Sequence, residues 1–499
     1  MDFKPDKYKQ AILDFITDGE GSGIVKAVAG SGKTTTIVAA AELISTDAYA
    51  IFLAFNKSIA DELRSRLPKH VQARTFHSVG MAAWGNFAKS RPRVDSDKVY
   101  KIMKGITGNL KKEDPRNFVF AQAKRLVGLA KNAGLVPNGS DCEHGLMNDS
   151  DNSWRSLADH HDITCDDFPA AIQLARETLL TSIEISEESI DFDDMLYMPL
   201  ITGAPFFKND WVFVDEAQDV SATQRAMLAR MLKPGGRLIA VGDPHQAIYG
   251  FRGADSESMN QITKRFDCKE FPLSTSYRCP RLIVEEAQNY VSHIESSPDA
   301  PEGKFERLSE WGPSTIKPGA GILCRNVAPL LVVAFRLIAA GVPVKMLGRE
   351  IGKGLVTLIK SQRAGDSVPR LMVKLAEYGD KEIERHLAKG KEELAAAVED
   401  KVECVRVIAE SAGVKTVRAL ISRIESLFDS TKPGVELATV HKAKGLEWEQ
   451  VYILDRATKM PSPWARRAWQ KQQETNLIYV AITRSQGELY DIETDGWKA

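Results

Sequence analysis

Residues 27–40, AVAGSGKTTTIVAA, place two glycines, a lysine and a run of threonines in immediate succession. Glycines let backbone N–H groups turn inward on an anion, and a lysine behind them adds a reaching cation, so the spacing fits a loop that cradles phosphates. Gly30 and Gly32 provide the turn, Lys33 reaches the terminal phosphates, and the Thr34 hydroxyl can ligate Mg2+ at the positive end of a helix. Ala29, Ser31 and Thr35 complete the contacts of that loop. A second acidic element, WVFVDEAQD over residues 211–219, offers Asp215 for Mg2+ and Glu216 to polarise an attacking water. Gln246, in GDPHQAIYGFRGA, is placed to sense a γ-phosphate or to orient that water. These groups together describe nucleoside triphosphate hydrolysis.

Such groups act only if strands and helices bring them to one place. GIVKAVA, before the glycines, is apolar and β-branched enough for a buried strand, and TTTIVAAAELI after them has helical spacing. The four-residue apolar run WVFV ends in two carboxylates, as expected at the carboxyl end of a buried parallel strand, where ligands collect in open α/β sheets. RLIAVGD reads as a third strand leading to Gln246. Lys33 and Asp215 stand 182 residues apart, too far for the ordinary crossovers of one sheet, so a separate module is expected between them. GILCRN, VELATVHKAKGLEWEQVYIL and TNLIYVAITRSQGELYDI are strand-led again, which predicts a second α/β unit.

The chain has 499 residues, 43% apolar and 27% charged, enough for several soluble domains. Six scattered cysteines, an N-terminus without the apolar core of a signal peptide and no run long enough to span a bilayer point to a cytoplasmic protein with no membrane partner. The net charge of −1 means that a polyanion must be gripped in a local groove, not over a generally basic surface. Charge is nevertheless uneven. Residues 98–131 carry nine Lys/Arg against two acids, and residues 141–194 carry fifteen Asp/Glu against two arginines. Two readings follow: a pair of solvated helical faces, or a basic block from Lys98 through Lys131 that touches phosphates. Cys142, His144, His160, His161 and Cys165 fall close together, but their irregular spacing and the lack of a CxxC pair favour buried thiols and surface histidines over a zinc site.

Several longer motifs, in order, resemble those of superfamily 1 DNA helicases of the UvrD/Rep type: AVAGSGKTT, AFNKSIADELRSRL, ARTFHSVG, SIDFDDMLYMP, VFVDEAQD, GDPHQAIYGFRGA, TSYRCP, TVHKAKGLEWEQV and YVAITR. The wording around AFNKSIA and HKAKGLEWE is also similar to the F-box DNA helicase branch. The resemblance implies an α/β protein of two RecA-like P-loop domains with parallel sheets, each carrying a mainly helical insertion. The first domain would comprise residues 1–88 and 186–266 around a helical insertion at 89–185. The second would comprise 267–350 and 432–499 around a short helical insertion at 351–431. No fused nuclease domain or long tail is expected after YVAITR.

The same resemblance implies that ATP sits in a cleft between the two domains, with Gln10 reading adenine, Tyr277 stacking on it and Glu447 holding the ribose. Arg278 and Arg484 would reach the γ-phosphate, a role that suits a permanent, forked cation. Asn56, Lys57, Thr75, Phe76, His77 and His441 would contact a DNA strand or link it to the ATP site. Tyr249 and Phe251, alternating beside Arg252, offer stacking platforms for unpaired bases, worth about 1–3 kcal/mol per base. The implied activity is an ATP- and Mg2+-dependent motor that moves 3′ to 5′ on single-stranded DNA and opens duplex at single/double-strand junctions, in replication, repair or recombination with a loading or repair partner. A translocase that strips proteins without unwinding, an ATP-controlled binding switch and an RNA-directed motor share the same ATP site.

Overall fold

The computed structural model describes residues 5–111, 114–137, 146–161, 163, 165–248, 257–388, 392–411, 413–428, 434–463 and 465–498. It divides into two units, one of residues 1–27 and 32–273 and the other of residues 28–31 and 274–499. Each is built on a six-stranded sheet in which every pairing is parallel.

The first sheet contains β1 (Gly23–Ala27), β2 (Ala50–Ala54), β3 (Val71–Thr75), β4 (Asn209–Val214), β5 (Leu232–Gly242) and β6 (Lys269–Leu273). Their spatial order is β6-β1-β5-β4-β2-β3. Because parallel strands need crossovers, helices cover the faces: α1 (Lys7–Asp18), α2 (Lys33–Glu42), α3 (Lys57–Arg66) and α4 (Phe76–Ala88) precede the long excursion between β3 and β4. Strands β1, β2 and β4 are nearly all buried, which explains their continuous apolar runs. The placement of β6 corrects the domain boundary expected at 266/267. Lys269–Leu273 pairs residue for residue with Gly23–Ala27 and completes the first sheet.

The excursion is helical, as expected, with α5 (Lys98–Gly108), α6 (Phe120–Ala133), α7 (Asp151–His160), α8 (Phe168–Glu184) and α9 (Asp194–Ile201). It does not pack as a separate body. Its buried cluster, which includes Trp154, Leu126 and Leu174, also contains Trp84 of α4, outside the excursion. Lys98 and Lys131, the two ends of the basic block, are buried and paired with the acidic block, which corrects both readings of the charge runs for these residues. Lys98 Nζ lies 2.6 Å from Asp194, and Lys131 Nζ lies 2.6 Å from Asp191 and 2.7 Å from Asp194. The helix α10 (Ala222–Met231) follows the acidic loop after β4, and its Thr223 hydroxyl donates to the backbone carbonyls of Lys131 and Asn132 at 2.7 Å.

The second sheet contains β7 (Lys304–Leu308), β8 (Gly321–Cys324), β9 (Val344–Met346), β10 (Val435–Thr439), β11 (Trp448–Leu454) and β12 (Ser485–Ile492), ordered β7-β12-β11-β8-β10-β9. Four helices, Arg349–Ser361, Val368–Leu387, Glu392–Ser411 and Val417–Leu427, fill the interval between β9 and β10. Leu371, Val405 and Leu420 from these helices share one core with Ile322 and Leu437 of the sheet.

Candidate nucleotide site and strand-contact residues

In the first unit, the carboxyl ends of β1, β5 and β4 are neighbours, so the loops that follow them converge. Gly30 and Gly32 have φ of +71° and +79°, a left-handed conformation that an L side chain resists, which accounts for glycine at both positions. Gly32 caps α2 without a side-chain hydrogen bond, leaving the helix's first N–H groups to another acceptor. Ser31 is buried and its Oγ has no hydrogen-bond partner. Uncapped N–H groups, an orphaned hydroxyl and a lysine at the first helical position form a cradle that fits phosphate oxygens.

The acids stand opposite. Thr34 Oγ1 donates to Asp215 Oδ2 at 3.0 Å, and Lys33 Nζ lies 3.8 Å from Glu216 Oε1. Burial, reinforced by the neighbouring Glu216, pushes the Asp215 carboxyl up to about 6, against the opposing pull of Lys33. A lysine at that distance does not neutralise two adjacent carboxylates, and the donor set of one hydroxyl and one carboxylate is the hard-oxygen kind that a divalent cation takes. Glu216 adopts φ +53°, a conformation uncommon for a side-chain-bearing residue.

Sequence reasoning missed two residues here, both inside motifs it had singled out. Gln218 Nε2 donates to Glu216 Oε2, and Gln218 Oε1 accepts from the Asp243 backbone N–H at 3.0 Å. Asp243 Oδ2 in turn accepts from Gln246 Nε2 at 2.7 Å. Gln218 thereby ties Glu216 to the loop that carries Gln246. The available signal was the pairing of amide and carboxylate at the ends of two adjacent strands. Burial raises the Asp243 carboxyl, with Lys33 and His245 opposing it.

Other expected nucleotide contacts are differently employed. The Thr35 hydroxyl accepts from Arg66 Nη2 at 3.1 Å, and the exposed Gln10 donates to Asp14 at 2.7 Å along α1. In the second unit, the structure brings Arg278 and Glu447 together, with Arg278 Nε 2.6 Å from Glu447 Oε2. Gln486 also donates to Glu447, at 2.8 Å, and Tyr277 is 46% exposed. Arg484 is 1% exposed, and its guanidinium donates to the carbonyls of Val480 and Leu446 and to the Thr483 hydroxyl.

Of the residues expected at a DNA strand, Asn56, Lys57, Thr75, Phe76 and His77 stand at strand ends of the first sheet, and His441 follows β10 of the second. Asn56 follows β2 and caps α3 by accepting from Ile59 N–H at 3.0 Å, with Lys57 exposed beside it. Thr75 ends β3 and caps α4 in a reciprocal bond with Ser78. Phe76 is a correction: it is 4% exposed and packs in the core with Val79, Leu196 and Met227, so its ring has no face to offer a base. His77, next to it, stays partly open, its ring edge-on to Phe192 at 6.3 Å, and burial lowers its pKa. His441 lies in the short helix Val440–Ala443, whose Lys442 pairs with Glu350. Tyr249, Phe251 and Arg252 lie outside the described residues, as do Cys142 and His144. His161 is buried, against the surface position expected for it. Among the described residues, no group of three or more His, Cys, Asp or Glu side chains is arranged to hold a metal, and no helix is long and apolar enough to cross a membrane.

Comparison with known proteins identifies the family. The family model of the UvrD/REP helicase N-terminal domain matches residues 9–267, and that of the UvrD-like helicase C-terminal domain matches residues 374–495. The chain is similar to F-box DNA helicase protein 1 of Schizosaccharomyces pombe, 24% identical over 93% of this chain and 55% of the relative. F-box DNA helicase 1 of Gallus gallus is 23% identical over 92% of this chain and 46% of its own length. ATP-dependent DNA helicase UvrD2 of Mycobacterium tuberculosis H37Rv is 24% identical over 97% of this chain and 77% of its own. The chain thus spans about half the length of the two F-box relatives.

Proposed function

Since this chain belongs to the UvrD-like helicase family, we propose that it is an ATP- and Mg2+-dependent motor that moves 3′ to 5′ along single-stranded DNA and separates duplex strands. The observation that carries the reading is the meeting of Lys33 and Thr34, at the start of α2, with Asp215 and Glu216 at the end of β4. Thr34 and Asp215 would hold Mg2+, which supplies positive charge to the phosphates when bound. The backbone from Ala29 to Gly32 and the Lys33 ammonium bind and orient the terminal phosphates. Glu216, fixed by Gln218, accepts the proton of the attacking water, and the link through Asp243 lets Gln246 report on that step. Arg278 and Arg484 keep the γ-phosphate role, Tyr277 and Gln10 the adenine, and Glu447 the ribose, as assignments open to substitution.

Asn56, Lys57, Thr75, His77 and His441 are assigned to the DNA strand, with Tyr249, Phe251 and Arg252 as the base-stacking element. Work at single/double-strand junctions in replication or repair, with a loading partner, belongs to the same proposal. The test is steady-state ATP hydrolysis with and without single-stranded DNA, with strand displacement on 3′-tailed, 5′-tailed and blunt duplexes and Lys33→Ala as control. Stimulation together with displacement from the 3′ tail alone supports the proposal. Stimulation with no displacement from any duplex would leave a protein-stripping translocase or a binding switch, and stimulation by RNA alone would reassign the substrate.

A further inference from the structure

Helix α1 buries Lys9, Ile12, Phe15 and Ile16, and the three apolar side chains share a core with Ile37 and Ala41 of α2. A lysine on such a face gives up hydration of its ammonium, a cost that an apolar residue there would not carry. Lys9 is 7% exposed, and its side chain ends at the phosphate loop: a Cβ added at Gly32 would come within 3.9 Å of Lys9 Cε and 4.0 Å of Nζ. The next residue, Gln10, is exposed and donates to Asp14.

Charge around that ammonium is unbalanced. Asp6 Oδ2 lies 3.9 Å away, while Asp6 Oδ1 caps α1 by accepting from the Tyr8 and Lys9 N–H groups at 2.9 and 2.8 Å. Burial outweighs Asp6 and lowers the pKa of Lys9. Gly32 meanwhile begins α2 without a side-chain cap, so a second positive pole shares the place. Ser31, beside it, is buried with an unpartnered hydroxyl. One anion would satisfy all three groups.

We propose that Lys9 is a second lysine of the nucleotide site, binding the α- and β-phosphates while Lys33 serves the terminal ones; the inference rests on the nucleotide-site reading above. The division follows from the loop. Backbone N–H groups of such a loop hold the α/β-phosphates and its own lysine reaches on to the β/γ-phosphates, and it is the backbone at Gly32 that Lys9 approaches. Substrate and product both carry that diphosphate. Lys9 therefore contributes equally to ATP and ADP binding, and uniform binding of this kind does not accelerate the chemical step.

The test is equilibrium binding of ADP and ATP to the full chain without DNA, for wild type, Lys9→Met and Lys7→Met, with thermal unfolding of each nucleotide-free protein and steady-state hydrolysis on single-stranded DNA. Methionine keeps a buried stem and removes the charge, and Lys7 is an exposed lysine of the same helix. The expected result is a loss of about tenfold in affinity for ADP and ATP alike, in Lys9→Met only. Its kcat at saturating ATP should stay near wild type, and without nucleotide it should melt at or above wild type, because an undercompensated buried charge is gone. Unchanged ADP affinity would overturn the proposal, and lower melting alongside it would mark Lys9 as a structural lysine. A loss for ATP alone would also overturn it by placing the ammonium at the γ-phosphate, as would an equal loss in Lys7→Met. If wild type binds neither nucleotide, the nucleotide-site reading falls and this one with it. If wild type binds both without DNA stimulation, only the motor reading falls, and the ADP measurement still decides the role of Lys9.

Discussion

Two acidic sites in the first unit look alike in sequence and differ in what their surroundings do to them. VFVDEAQD and SIDFDDML each follow apolar residues with closely spaced acids, and each brings a buried carboxylate close to lysine. Around Asp194 the compensation is complete: burial would push its carboxyl up, but Lys131 and Lys98 hold it below the usual range. Around Asp215 it is incomplete, because burial and Glu216 outweigh Lys33 and raise the group to about 6. The first arrangement is finished without a ligand, and the second is short of positive charge. On the assignment proposed above, the structural acid and the functional acid differ in the cations that reach them, which depends on packing between segments far apart in the chain.

The largest effect should come from breaking the finished site. Lys131→Ala leaves Asp191 and Asp194 buried without their shared cation and should cost about 3–5 kcal/mol of stability in denaturant unfolding. Replacing Lys131 and Asp194 together by apolar residues should cost much less than Lys131→Ala alone, since the penalty lies in the stranded charge. In the unfinished site, Glu216→Gln should reduce ATP hydrolysis about 10²–10⁴-fold while nucleotide binding and the melting temperature stay near wild type.

A smaller effect separates neighbours within the acidic block itself. Burial and the adjacent Asp191 push Asp193 up to about 6, above its unfolded value of 3.8. The folded protein therefore binds more protons than the unfolded chain between those values, and the ionised group costs stability as pH rises through that window. Asp193→Asn should raise stability at pH 7 by on the order of 1 kcal/mol, and the gain should vanish below about pH 4. Asp194 has the opposite sign. Its contribution is present above 3.8 and is lost as pH falls further.

The parts of this molecule that were legible in sequence are those set by local pattern. The glycine loop, the strand ending at Asp215 and the strand ending near Gln246 could be read because a buried parallel strand must be apolar and its carboxyl end is where a ligand binds. Three things were not legible, for one reason: a partner distant in sequence decides them. β6 belongs to the first sheet because β1 offers it an edge, which no feature of KEFPL announces. Phe76 sits in a motif of expected strand contacts, yet the start of α4 turns its ring into the core. Lys98 and Lys131 read as surface cations because lysine is almost never buried unpaired, and their partners lie 60 or more residues away.

The most direct test of the contrast is a pair of equivalent substitutions, Asp215→Asn and Asp194→Asn, followed at pH 7 without nucleotide by thermal unfolding and with MgATP and single-stranded DNA by hydrolysis. Asp215→Asn should melt at or above wild type, because it removes an undercompensated charge, and should lose DNA-stimulated hydrolysis. Asp194→Asn should melt well below wild type, because it strands Lys98 and Lys131. If Asp215→Asn is destabilised as much as Asp194→Asn, or keeps full DNA-stimulated hydrolysis, Asp215 is a structural acid and the assignment of this site as the nucleotide centre is wrong.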